Sequence, residues 1–156
     1  MREPLVGSSE LNQICFVVND IEKAAESFAT LLGIEKPNWF LTGTREVSQI
    51  VFNGVPTDAR NKLIFINTPS VQIELIEPDQ EPSTMREFLN KGEGIHHVAF
   101  HTDDMKKQLA MLGANGYGVI QTGEFTASKG RYAYVDTVPA CKTMVELLER
   151  DEPQPV

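Results

Sequence analysis

Apolar residues in this chain change their spacing at regular points. Leu11 to Val18, LNQICFVV, alternates in character and is dense in apolar and β-branched residues, which predicts a strand. From Ile21 the interval lengthens, and Ile21, Ala24, Ala25, Phe28, Leu31 and Leu32 fall on one face of a helix. Asp20 stands where a helix needs a side-chain acceptor, and Gly33 where it needs a left-handed residue to stop. Strand-like runs follow at Val47 to Phe52, Lys62 to Asn67 and Val71 to Ile76, with turn residues at Asn53-Gly54, Pro56, Thr68-Pro69 and Pro78. The first half therefore reads β-α-β-β-β.

A connector, DQEPSTMREFLNKGEG, predicts a short helix capped by Ser83 or Thr84 and running to Leu89. Its polar rim calls for no functional role. The opening pattern then recurs. Ile95 to Thr102 predicts a strand, and Asp103-Asp104 opens a helix closed by Gly116. Strand-like runs lie at Gly118 to Gln121, Arg131 to Asp136 and Thr143 to Leu148. Gln13-Ile14-Cys15-Phe16 overlays His97-Val98-Ala99-Phe100, and the same offset superposes Asp20 on Asp104. At a slightly shorter offset, Glu74-Leu75-Ile76-Glu77 overlays Glu146-Leu147-Leu148-Glu149. The expected organisation is one domain over 9–150, made of modules 9–80 and 93–150 that cover each other's apolar sheet faces, with an acidic tail at 151–156.

Composition narrows the partners. A length of 156 residues suits a single core, and a net charge of −8 argues against a nucleic-acid ligand, which needs clustered Lys and Arg. No apolar run approaches the ~18–20 residues of a membrane span. MREPLVGSSE has no apolar signal-peptide core, so a cytoplasmic protein is expected. Cys15 and Cys141 belong to no CxxC and read as reduced thiols.

The repeat also selects a constellation. It pairs Gln13 with His97 in the first strands and Glu74 with Glu146 in the last strands. Carboxylates on a largely apolar sheet face are costly alone and costlier together. A divalent cation such as Zn²⁺, Co²⁺, Ni²⁺, Mn²⁺ or Fe²⁺ resolves that conflict and suits an amide oxygen, two carboxylates and an imidazole. Strand alternation places His96 on the opposite face, as a structural residue, and Cys15 reads as a small buried hydrophobe.

These segments resemble the vicinal oxygen chelate superfamily of glyoxalases, dioxygenases, fosfomycin-resistance proteins and methylmalonyl-CoA epimerases. The resemblance spans about 11–149. It rests on LNQICFVVNDIEKAAESFATLLGI, VQIELIEP, GIHHVAF and SKGRYAYVDTVPACKTMVELLE, the last three in the manner of the epimerase branch. It implies an α+β fold in which two βαβββ modules form a cup-shaped mixed sheet. The metal would lie in the cup on Gln13, Glu74, His97 and Glu146. It also implies a homodimer and proton removal beside a thioester or related carbonyl, with Glu146 as one base and Glu74 as the second. Lys129 and Arg131 are the expected contacts for a small anionic thioester or thiol adduct.

Two departures matter. Epimerases commonly carry His where Gln13 stands, and a second catalytic carboxylate of theirs falls near Gln49. The set Gln, Glu, His, Glu is similar instead to glyoxalase I. A glyoxalase-type lyase acting on a thiol hemithioacetal is thus the alternative, followed by a non-enzymatic member that sequesters a small molecule.

Overall fold

The computed structural model describes residues 2–152. Strand β1 (Gln13–Val17) leads into α1 (Ile21–Leu32). The Asp20 carboxylate accepts from the Lys23 amide at the start of α1, and Gly33 ends it in the left-handed conformation. Next come β2 (Phe40–Leu41), the single turn α2 (Arg45–Ser48), the hairpin β3 (Val51–Phe52) and β4 (Val55–Pro56), then the longer β5 (Asn61–Asn67) and β6 (Gln72–Pro78). Helix α3 (Thr84–Leu89) joins the halves, with Ser83 as its cap. The second half holds β7 (Gly94–His101), α4 (Met105–Ala114), β8 (Val119–Glu124), β9 (Gly130–Val135), the single turn α5 (Val138–Cys141) and β10 (Met144–Arg150). No helix among the described residues is long and apolar enough to cross a membrane.

The strands form one mixed, curled sheet in the order β2-β5-β6-β1-β7-β10-β9-β8-β3-β4. Its centre is symmetric. β1 runs antiparallel to β7, and each has the last long strand of its own half as a parallel neighbour, β6 beside β1 and β10 beside β7. At the rim, the Gly43 amide donates to Thr126 Oγ1 at 2.8 Å, tying the segment after β2 to the β8–β9 loop across the mouth of the curl.

Strand alternation divides the core into layers. Phe16, Val18, Ile64, Ile66, Ile73 and Leu75 pack under Ile21, Ala25 and Phe28 of α1. Val98, Phe100, Ala133, Val135, Val145 and Leu147 pack with Met105, Leu109 and Leu112 of α4, joined by Leu5 and Val6. The opposite, concave face carries Cys15, Val17, Ile76 and Tyr134 against Met85 and Leu89 of α3.

Three local expectations are corrected. The strand predicted over Val47 to Phe52 is a helical turn followed by two strand residues. The Val47 and Ser48 amides bond to the Thr44 carbonyl, and Gln49 adopts a left-handed φ of 44°, which breaks the extended run. β3 then pairs with β8 of the second half, and the slot beside β5 goes to β2. Pro56 is tolerated because β4 is an edge strand that needs no amide there. The strands predicted to end at Gln121 and Leu148 run on to Glu124 and Arg150. Finally, β1 and β7 shift register, so that Cys15 faces His97 while Phe16 faces Ile95. The extra residue is His96, and this bulge turns it toward the concave side rather than away from it.

Leu75 is fully buried between β6 and α1. Leu75→Ala should lower unfolding free energy by about 2–5 kcal/mol in a urea titration. Loss of the α1 cap in Asp20→Ala should cost about 1 kcal/mol.

Candidate metal centre

The four central strands each contribute one side chain to the floor of the concave face. His97 Nε2 lies 3.0 Å from Glu146 Oε2, 3.3 Å from Glu74 Oε2 and 3.5 Å from Gln13 Oε1. His97 is fully buried, and Gln13, Glu74 and Glu146 are nearly so. The structure thus brings Gln13, Glu74, His97 and Glu146 around one imidazole nitrogen.

The register explains how. Glu74, Cys15 and His97 form one row across β6, β1 and β7. Gln13, Ala99 and Glu146 form the matching row across β1, β7 and β10. In both rows a small residue separates the two polar ones. That spacing leaves room for the longer side chains to lean inward over Cys15 and Ala99. Cys15 also brings its sulfur within reach, and Cys15, Glu74 and His97 place their donor atoms within 4.8 Å of one another.

Neighbouring groups orient the floor. Gln13 Nε2 donates to Gln72 Oε1 at 2.8 Å, which leaves the Gln13 oxygen for the His97 side. The Tyr134 ring lies 4.9 Å from that of His97. Behind His97, its Nδ1 is 2.8 Å from His96 Nδ1, and His96 Nε2 is 3.0 Å from Thr84 Oγ1. Burial pushes the Glu146 carboxyl above its ordinary range, and the Glu74 charge adds to this against the pull of His97. Burial opposes a charged imidazole at His97, but Cys15 and Glu146 outweigh it and hold its pKa well above the ordinary value. His96 moves the other way, down to about 3, through burial and the adjacent His97. Burial likewise raises the Cys15 thiol.

Two buried carboxylates, an imidazole and an amide oxygen, all converging, are a donor set that fits a divalent cation of the borderline class. Gln13, Glu74, His97 and Glu146 could hold it. Above them opens a cavity of about 570 Å³. Its walls are Leu63 and Phe65 of β5, Ser48 and Ile50 beside α2, Met85 of α3, Tyr132 and Tyr134 of β9, and the loop at Phe125 to Ser128.

The expected anion contacts are placed elsewhere. Arg131 points to the α4 side, where it pairs with Glu149, Asp151 and Glu124 and lines a groove with Asp103 and Lys106. Lys129 is exposed in the β8–β9 loop and is absent from the cavity lining. The reason is alternation: Tyr132 and Tyr134 take the concave face of β9, so Arg131 takes the other. The cavity's cation is instead Arg150, the one Lys or Arg among the described residues that line it. Its guanidinium lies 5.6 Å from the centre of the Phe125 ring and 3.4 Å from Ser128 Oγ. Arg150 was legible, since it follows Glu146 and Leu148 on one strand face. Asn61 also lines the cavity, buried, with an Oδ1 that has no hydrogen-bond partner among the described residues.

A curled sheet of two like halves, with a polar cluster at the centre of its concave face, defines a class of small enzymes and binding proteins. The sequence profile of the Glyoxalase/Bleomycin resistance protein/Dioxygenase superfamily matches residues 12–135, and this chain belongs to that superfamily. It is 30% identical over 119 residues to the ethylmalonyl-CoA/methylmalonyl-CoA epimerase of Cereibacter sphaeroides, covering 73% of this chain and 76% of that one. Its fold matches methylmalonyl-CoA epimerase from Mycobacterium tuberculosis with a TM-score of 0.62 at 21% identity, over 92% of this chain and 89% of that chain. It also matches a Streptomyces coelicolor methylmalonyl-CoA epimerase variant in complex with 2-nitronate-propionyl-CoA, with a TM-score of 0.64 at 20% identity, over 94% and 98%.

Cobalt(II) titration followed by visible absorption should report one site per chain. His97→Ala or Glu146→Ala should weaken it by more than about 100-fold, beyond the range of outer-shell changes. Arg131→Ala, on the far side of the sheet, should leave it unchanged.

Proposed function

We propose that this protein is a metal-dependent epimerase that moves the α proton of an acyl-CoA thioester. The observation that carries the reading is the Glu74–His97–Glu146 cluster on the cavity floor, in a chain related to acyl-CoA epimerases. Removing a proton from carbon beside a carbonyl is hard because negative charge develops on oxygen. A divalent cation, when bound, supplies Lewis-acid stabilisation of that charge. The protein supplies the rest. Glu146 takes the α proton, and His97, 3.0 Å away, holds that carboxylate in place. Glu74, on the other flank of His97 Nε2, starts the turnover carrying a proton and gives it to the opposite face, so that Glu146 ends protonated and Glu74 ionised. Met85, Leu63 and Tyr132 surround the reacting carbon's approach with apolar surface, which keeps water from competing. Arg150 at the mouth takes an anionic group of the substrate, and Asn61 Oδ1 accepts from one of its amide N–H groups.

A second reading has its own support. No carboxylate from the α2 segment enters the cavity: Ser48 and Ile50 line it, Gln49 is exposed outside it, and Glu46 is bonded to the Thr44 hydroxyl. With both carboxylates on the floor, the arrangement also serves a lyase of the glyoxalase I type, which moves a proton between neighbouring carbons of a hemithioacetal.

Proton NMR in D₂O with cobalt-loaded protein separates the two. Methylmalonyl-CoA should exchange its α proton, while the hemithioacetal of methylglyoxal and glutathione should not. The reverse result establishes the lyase reading. Glu146→Gln should reduce exchange by about 10²–10⁴-fold, the usual contribution of a positioned base. Arg150→Ala should raise KM by about 10-fold with kcat little changed, as expected for one charge-assisted bond to substrate.

A further inference from the structure

We infer that Gly123 is a specificity-determining residue: by leaving space over β8 for the Tyr132 ring, it sets how large a group on the substrate's α carbon the cavity admits. The inference rests on the epimerase reading above, in which Glu146 takes the α proton.

The strands beside Glu146 are in register. Gln121 of β8, Tyr134 of β9 and Glu146 of β10 form one row, and Gly123, Tyr132 and Leu148 form the next on the same face. Tyr132 and Leu148 line the cavity one row beyond the base. A group bonded to a carbon within reach of Glu146 extends along this row.

Gly123 is buried in the interior of β8, where glycine weakens a strand. Its backbone does not call for glycine, because its φ lies outside the positive range that Gly116 and Gly130 occupy. The reason is a close approach. A Cβ at this position would overlap Oη and Cζ of Tyr132 and stand 2.6 Å from its Cε1. The ring therefore lies where a side chain of β8 would stand. Its hydroxyl end is held there by Gln121, two residues earlier on the same face and fully buried. Gln121 Oε1 accepts from the Thr84 backbone amide at 3.0 Å, which turns Nε2 toward Tyr132 Oη, 3.5 Å away. β8 cannot draw back, since it is hydrogen-bonded to β9 on one side and to β3 on the other. A side chain in place of Gly123 must then lift the ring off the sheet and into the cavity that it lines. With glycine, the row beyond Glu146 stays open to an α substituent larger than methyl.

Proton NMR in D₂O on the cobalt-loaded protein tests this with methylmalonyl-CoA and ethylmalonyl-CoA, beside a crystal structure of the Gly123→Ala variant. The wild type should exchange the two thioesters at rates within about 10-fold of each other, and Gly123→Ala should lower exchange of ethylmalonyl-CoA at least about 10-fold more than that of methylmalonyl-CoA, the weight of one misfitting methylene. The crystal structure should show the Tyr132 ring moved into the cavity. The double variant Gly123→Ala with Tyr132→Leu should restore the wild-type ratio, which a general loss of stability would not do. Tyr132→Leu alone decides the matter if Gly123→Ala does not fold: exchange of propylmalonyl-CoA should gain about 10-fold relative to methylmalonyl-CoA. An unchanged ratio in either single variant, or a ring that stays in place, overturns the inference. If the wild type exchanges neither thioester, the epimerase reading fails, and the position of the ring in Gly123→Ala still decides whether Gly123 sets the width of the cavity.

Discussion

Glu74 and Glu146 are buried on two flanks of one imidazole nitrogen, and most of the architecture around them answers to the cost of keeping them there. Like charges in a medium of low dielectric repel strongly, and each loses its hydration. His97, the Gln13 amide and the two small residues Cys15 and Ala99 are local replies to that cost. Two carboxylates, an imidazole and an amide oxygen therefore converge on one point, an arrangement that a dication would hold together.

The repeat and the four floor residues were readable because duplication preserves strand phase. When Gln13 overlays His97 and Glu74 overlays Glu146, each pair must face the same way, and parallel pairing of first and last strands in each half brings them together. Reading failed where phase is interrupted. The bulge at His96 moves one residue across the sheet with no mark in composition, since His-His would satisfy either face. The run Val47 to Phe52 has strand-like residues, yet Thr44 captures the amides of Val47 and Ser48 and coils the segment first. Arg131 and Lys129 were chosen for charge alone. Phase along β9 and β10 assigns Arg131 to the helix side and Arg150 to the cavity, and the acidic character of ELLERDEP concealed the latter. Helix α3 read as a bare connector, but capping by Ser83 turns Thr84 and Met85 inward, where one reaches His96 and the other lines the cavity.

The comparison with acyl-CoA epimerases also acquires detail. Kinship extends through most of the chain, while the wall segment that resembles the site of an extra carboxylate in those enzymes presents Ser48 and Ile50 here. On the proposed reading, the two carboxylates that flank His97 are the ones placed for chemistry on two faces of a planar intermediate. On that reading Glu74 would both help to hold the cation and move a proton, a double duty that would tighten the geometric demands on its strand.

The hairpin β3–β4 belongs to the first half by sequence but hydrogen-bonds to the second half through β8. Its pairing joins residues far apart along the chain and so ties the two halves together beside the cavity wall at Ser48 and Ile50. It also separates two kinds of heritable change. Substitutions in the four central strands alter the floor and are constrained by its symmetry. Insertions or deletions around α2 and the hairpin would reshape the wall at Ser48 and Ile50 and leave the floor on the four central strands intact, so that the shape of what fits the cavity can change separately from the groups at its base.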